Sequence, residues 1–361
     1  MKILVISNMY PSHENPYFGI FVKNIVDGLE QYGCNIELSV INKKSKYKIM
    51  KIIIYMSFIL KTIKKIKSNN YDIIYVHYIN HSLLPLFFCK KHISSPIVLN
   101  AHGTDVLTKS KIALIIQKIV TPIIKKANLI IVPSSFFKRI VLKKINLNEN
   151  KIFIFPSGGV DLKIFHPLKN NHIVDFTFGY ISRLEKDKGW DVFLDSISIL
   201  KKHQYAFKAI IIGDGSEKNK MIKKMIDLKL DDIVYYLGGK PQKDLISYIN
   251  KMSIFVFPTM LNESLGLVGL EAMACGVPVV GSNIGALPEY IIDGFNGRLF
   301  VAGDAEDLSK KLIFFLKLDN CNMSVYKNNA SNFVSKEYSS DLVFKSLYKK
   351  MLELLNSECI K

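Results

Sequence analysis

Two doubly wound parallel α/β units in tandem are the fold class this sequence predicts, and three observations predict it. Short apolar runs alternate with helical periodicity from end to end, the signature of a parallel sheet covered by helices on both faces. The alternation restarts after a polar, proline-bearing stretch around Pro167. The length, 361 residues, exceeds what one hydrophobic core usually supports.

The first unit opens with KILVIS, which reads as a strand because the apolar run before Ser7 and Asn8 is too short for a signal-peptide core. A helix from about Gly19 to Tyr32 follows, then NIELSVI, a basic helix, DIIYVHY, PIVLNAHG, NLIIVPSS and KIFIFPSGGV. The segment DLKIFHPLKNN breaks the pattern. DFTFGYISR, a helix from about Gly189 to His203, AFKAIIIGDG, another helix, DIVYYLGG, a helix ending near Lys251 and SIFVFPT rebuild it. The expected organisation is a Rossmann-like domain over 1–165, a second over 166–335, and a helical segment over 336–361 that could cross back onto the first. Two such domains can turn the carboxyl ends of their sheets towards a shared cleft, where open α/β sheets bind ligands.

Charge separates the halves. Residues 1–165 hold 24 Lys and Arg against 8 Asp and Glu, while 166–361 hold 25 against 23, so +16 of the formal +18 lies in the first half. Such an excess points to a polyanion, either nucleic acid or an anionic membrane surface; the bland alternative is a Lys-rich composition drifting basic. Against nucleic acid, the aromatic residues are not interleaved with lysines and no recognised module appears. The apolar run Ile52–Leu60, broken only by Ser57, is too short for a span, which needs about 20 residues. Flanked by Lys46, Lys48, Lys51, Lys61, Lys64, Lys65 and Lys67, it reads either as an interfacial helix or as a helix packed on a sheet. Five scattered cysteines without metal or redox spacing suggest reduced thiols and a cytoplasmic protein.

The sharpest motif is NESLGLVGLEAMACGVPVV. Helix formers from Leu267 to Ala274 and a stop at Gly276 put Glu263 in a loop and Glu271 on the helix's second turn. Both carboxylates can then point into one pocket. N–H groups around Gly266 and Leu267, at the helix N-terminus, suit a diphosphate, and a carboxylate suits vicinal hydroxyls. Glu271 could therefore hold a ribose and Glu263 a transferred sugar; otherwise they are two solvated carboxylates. In RLEKDKGW, Arg183 and Lys188 would neutralise a diphosphate, or are solvated surface charges. Gly19 in PYFGIFV permits close backbone approach to a ligand. His102, Gly103 and Asp105 fall near a strand's carboxyl end, with His102 either a packing residue or part of a site. GDG at 213–215 reads as a strand-to-helix turn, since no G-x-G-x-x-G follows a strand anywhere. The absence of a Walker-type loop, an H-E-x-x-H or a metal cluster removes those reaction classes.

In this order, PYFGIFV, LNAHGTDV, IVPSS, FPSGGVDLKIFHP, RLEKDKGWDVF, IIGDGSEK, FPTMLNESLGLVGLEAMACGVPVVGSNIGALPE and DGFNGRLF resemble the family 4 glycosyltransferases from residue 1 to about residue 315. The resemblance implies a GT-B fold and a hexosyltransferase-type enzyme. It also implies retention of anomeric configuration, a UDP- or GDP-sugar donor held mainly by the second domain, no cofactor and no essential metal. Carried over, Arg183 and Lys188 would bind the diphosphate, with Ser264, Gly266 and Leu267 in the donor loop. Glu271 would hold the ribose and Glu263 the donor sugar's hydroxyls. Gly19 would let the first domain approach the phosphates, and His102 would sit beside the reacting sugar. In the family's commonly proposed mechanism the leaving phosphate takes the acceptor's proton. Ser182 departs from the glycine usual before the arginine, and Ala286 from the second glycine usual before Pro288 and Glu289.

The opening Tyr-Pro with PYFGIFV looks most like members that build bacterial capsule, O-antigen or exopolysaccharide. That implies a saccharide acceptor, lipid-linked, at the inner face of the cytoplasmic membrane, with the basic domain on anionic lipid. A GT-B epimerase and a non-catalytic nucleotide-sugar or nucleic-acid binder are the alternatives. A product still attached to UDP would mark the first, and competitive binding of RNA the second.

Overall fold

A computed structural model describes residues 1–108, 110–168 and 175–359. The chain divides into two compact units, Met1–Gly158 with Val343–Lys361, and Gly159–Leu342.

The first unit is built from β1 (Lys2–Ser7), α1 (Ile20–Glu30), β2 (Asn35–Val40), α2 (Lys48–Ser68), β3 (Ile73–His77), α3 (Leu84–Cys89), β4 (Ile97–Asn100), α4 (Lys111–Lys126), β5 (Leu129–Val132), α5 (Ser135–Ile145) and β6 (Ile152–Ile154). The strands form one parallel sheet in the order β2-β1-β3-β4-β5-β6. Strand alternation splits the core: Leu4, Ile6, Ile74 and Val76 face α2, α3, α4 and α5, while Ile3, Val5, Ile73 and Tyr75 face the opposite side.

The second unit comprises β7 (Thr177–Ile181), α6 (Trp190–Lys202), β8 (Lys208–Ile212), α7 (Lys218–Asp227), β9 (Val234–Tyr236), α8 (Gln242–Ile249), β10 (Ile254–Phe257), α9 (Leu267–Ala274), β11 (Val279–Ser282), β12 (Gly297–Phe300), α10 (Ala305–Leu316) and α11 (Asn320–Glu337). Its sheet is parallel, ordered β12-β11-β10-β7-β8-β9. Ile254 and Val256 of β10 face α6 and α10, and Phe255 and Phe257 face α8 and α9. Full burial of a side chain such as Phe255 contributes ~1.5–3 kcal/mol.

A last helix, α12 (Ser340–Cys359), leaves the second unit and from Val343 packs with the first. Phe344, Leu347 and Met351 are buried among Ile3, Val5 and Ile73, on the face that α1 also covers. Gly28 of α1 makes this possible, because a Cβ there would lie 2.2 Å from the Phe344 ring. Residues 159–165 group with the second unit instead of the first. Val160 bridges Ser339, and Phe165 is buried beside Phe255 and Met252. The linker stretch DLKIFHPLKNN lies partly outside the described residues, which stop at Leu168 and resume at Asp175.

The helix α2 packs on the sheet through one side and leaves the other to solvent. Phe58, Thr62 and Ile66 pack inward, while Ile49, Ile53, Met56 and Leu60 are exposed. Lys65 is not among its solvent-facing lysines: its Nζ pairs with Glu37 Oε1 at 2.7 Å and donates to the Leu38 carbonyl at 3.0 Å. Among the described residues no helix is long and apolar enough to cross a membrane.

Candidate donor site in the second unit

In the second sheet the strand order reverses between β7 and β10, whose neighbours lead away in opposite directions. Such a switch point opens a crevice at the strands' carboxyl ends. A cavity of about 420 Å³ sits there, lined by Arg183 after β7, Gly213 and Asp214 after β8, Phe257 at the end of β10, and Gly266 and Glu271 around α9.

Lys188 and Glu263 also line it, and they meet: Lys188 Nζ lies 2.7 Å from Glu263 Oε1, with side chains 13% and 18% exposed. Thr259 Oγ1 donates to the same oxygen at 3.0 Å. The Lys188 loop is fixed by Tyr180, whose hydroxyl donates to the Lys188 carbonyl. The Glu263 loop is fixed by Ala286, buried, whose N–H donates to the Glu263 carbonyl at 3.1 Å. The position that departs from the family's glycine pair therefore braces a site residue. Ser182, the other departure, lines the cavity, and its N–H donates to the Ile212 carbonyl. Arg183 is exposed on the wall and forms no ion pair with a described residue.

Glu271 is buried, and its Oε1 accepts from Gln242 Nε2 at 2.7 Å. Desolvation outweighs that bond and raises the carboxyl to about 7. The N-cap of α9 is Gly266, at φ 90°. Gly269 N–H is taken by the Gly266 carbonyl, so the first-turn donors of Leu267 and Val268 are the helix's leading N–H groups. Leu267 and Ser264 adjoin the cavity without lining it.

Sequence reasoning passed over several lining residues. Gly213 and Asp214 belong to the GDG stretch read only as a turn, and Gly239, Lys240, Gln242 and Leu245 follow β9. A signal existed in GGKPQ, a polar glycine pair directly after a strand, but no chemistry was attached to it.

The other candidates lie in the first unit. His102 follows β4, and its Nε2 is 3.2 Å from Nδ1 of His77, the last residue of β3. Burial holds both rings neutral, His102 to about 3 despite partial solvent contact and His77 well below the usual histidine range. The buried Nε2 of His77 has no partner. A bare acceptor costs less there than a stranded N–H, so Nδ1–H of His77 donates to His102. Asp105 sets the loop by accepting the N–H groups of Ile79, His102, Gly103 and Val106 at 2.8–3.2 Å. Gly19, at φ 76°, caps α1; a Cβ there would lie 2.7 Å from the Met9 backbone, so packing by itself demands glycine. Among the described residues no three His, Cys, Asp or Glu side chains group to hold a metal.

Comparison with known proteins gives a consistent result. Residues 169–332 match the model of glycosyl transferases group 1, and residues 29–163 that of Glycosyltransferase Family 4. An uncharacterized glycosyltransferase of Methanocaldococcus jannaschii is 26% identical over 93% of this chain and 95% of its own length. A capsular polysaccharide biosynthesis glycosyltransferase, CapM of Staphylococcus aureus, is 27% identical over 60% of each chain. Among solved structures, HepE of Anabaena in complex with UDP-glucose superposes with a TM-score of 0.76 at 18% identity, covering 99% of this chain and 100% of that one. That last likeness is one of fold.

Proposed function

This chain belongs to glycosyltransferase family 4 and has the GT-B fold, and from that premise we propose that it transfers a hexose, with retention, from a nucleotide-diphosphate sugar to a saccharide acceptor. Enzymes of capsule and polysaccharide synthesis are its relatives. The acceptor we assign is lipid-linked, and the place of work is the inner face of the cytoplasmic membrane, with the basic first unit against anionic lipid. The division of charge supports that placement: the first unit holds 27 Lys and Arg against 9 Asp and Glu, the second 22 against 22.

The observation that carries the donor assignment is the cavity at the β7/β10 switch point with Arg183, Lys188, Glu263 and Glu271 on its walls. Arg183 and Lys188 would neutralise charge building on the departing diphosphate, aided by the first-turn N–H groups of α9. Glu271, once ionised, would accept from both hydroxyls of a ribose. Glu263 would exchange part of its bond to Lys188 for the hydroxyls of the transferred sugar. His102, neutral, would donate or accept one hydrogen bond beside that sugar; it would carry no charge into the reaction. The acceptor's proton would leave on the departing phosphate, and no cofactor or metal would enter.

The test is thermal unfolding against a panel of UDP- and GDP-sugars, UDP-glucose first, followed by NMR of the product's anomeric configuration. One nucleotide sugar should protect the chain, EDTA should not change the turnover rate, and the product should retain the donor's configuration. Protection by none of the panel, an inverted product, or a product still joined to UDP would overturn the proposal.

A further inference from the structure

Three helices of the first unit, α2, α3 and α4, lie side by side on one face of its sheet, and their inner sides share one core containing Phe58, Leu86 and Val120. Their outer sides are apolar as well. On α2, Ile49, Ile53, Met56 and Leu60 are each more than half exposed. Spaced by three or four residues, they form a stripe opposite Phe58 and Thr62. On α4, Ile112 and Ile115 are more than half exposed and Ile119 less so, on the side away from Ala113, Gln117 and Val120. Phe88 of α3 is exposed between them. A helix that covers a sheet normally gives its outer face to charged residues; these give theirs to aliphatic side chains with lysines around them.

The segment that carries these three helices is charged almost wholly with one sign. Residues 42–126 hold 16 lysines and two acidic residues. Of the two, Asp72 accepts the Lys2 N–H and Asp105 is buried under its four backbone donors. Exposed Lys64 and Lys67 prolong the α2 stripe, and Lys118 and Lys126 flank that of α4. A second copy of the chain would set these lysines against their like, which disfavours self-association through this face. An anionic bilayer offers what the face needs within about 10 Å of depth, phosphates for the lysines and an acyl boundary for the aliphatic residues.

We propose that the outer face of α2, α3 and α4 inserts into the interfacial layer of an anionic membrane, with the two aliphatic stripes at the acyl boundary and the lysines on the headgroups. This deepens the membrane placement given above and rests on it. It adds what charge alone would not supply, namely adhesion that outlasts screening.

The experiment is co-sedimentation of the full chain with vesicles of phosphatidylcholine alone, or of phosphatidylcholine and phosphatidylglycerol in equal parts. It is run at about 0.1 M and about 1 M salt, where the screening length falls to ~3 Å. The wild type should bind the anionic vesicles at both salts, more weakly at the higher. A charge variant, Lys61→Gln with Lys64→Gln and Lys67→Gln, should lose about 100-fold in partition at low salt, roughly fivefold per lysine. An aliphatic variant, Ile53→Ser with Met56→Ser and Ile115→Ser, should keep part of the low-salt binding and lose the high-salt binding. Unchanged circular dichroism and unfolding midpoint in both variants exclude misfolding as the cause. Failure of the wild type to bind anionic vesicles, or an aliphatic variant that binds like the wild type at both salts, overturns the proposal. So does an aliphatic variant that merely turns a dimer into a monomer. The vesicles carry no nucleotide, so a failed donor assignment leaves this readout untouched.

Discussion

Replacing Glu271 by glutamine should make the second unit more stable above neutral pH while abolishing its response to nucleotide sugar. The carboxyl ionises at about 4.5 in the unfolded chain and at about 7 in the folded one, because burial outweighs the bond from Gln242. Below the unfolded value both states are protonated and the group costs nothing. Between the two values folding takes up a proton and stability falls as pH rises; above about 7 the cost is constant. At ~1.36 kcal/mol per unit, the ionised carboxylate costs the folded unit ~3 kcal/mol. Glutamine keeps an acceptor oxygen for Gln242 without the charge. By scanning calorimetry the variant should therefore melt close to the wild type at about pH 5 and roughly 6–12 °C above it at about pH 8. Added UDP-glucose, or whichever nucleotide sugar protects the wild type, should raise the midpoint of the wild type only. Equal wild-type and variant midpoints at both pH values would refute the burial argument. Full protection of the variant would refute the role of this carboxylate at the ribose.

Two further outcomes follow from the geometry. Lys188→Met should cost about 1–3 kcal/mol in denaturant unfolding by leaving the mostly buried Glu263 without its cation, and adding Glu263→Gln should restore part of that loss; strictly additive losses would show that the two do not act as a pair. In the first unit, the His77 and His102 imidazole nitrogens should show no titration step by NMR between about pH 5 and pH 8, since burial depresses both and the neutral pair is lost only as pH falls further; a step from either within that window would refute the desolvated pairing.

Much of the molecule was legible along the chain because its information there is local. Ile3 to Ile6 and Ile254 to Phe257 are continuous apolar runs, as strands buried on both faces must be. Gly276 after Ala274 ends a short helix, so Glu271 on its second turn could be placed before any fold was known. The four charged residues Arg183, Lys188, Glu263 and Glu271 were likewise found from short motifs, and all line one cavity.

What the sequence by itself determined, then, is the kind of each element and the chemistry available at strand ends, both set by spacings of two to four residues. Tertiary structure decided the partners. Lys188 holds Glu263 from 75 positions away and Gln242 holds Glu271 from 29. Lys65 reaches back to Glu37 while Lys61, Lys64 and Lys67 face solvent, and burial beside His77 makes the His102 ring neutral. The last helix fills the first sheet's open face only because Gly28 leaves room for Phe344. Periodicity is written in adjacent residues, but a carboxylate's ionisation depends on how much water packing removes and which donor it brings close, and both are properties of the assembled core.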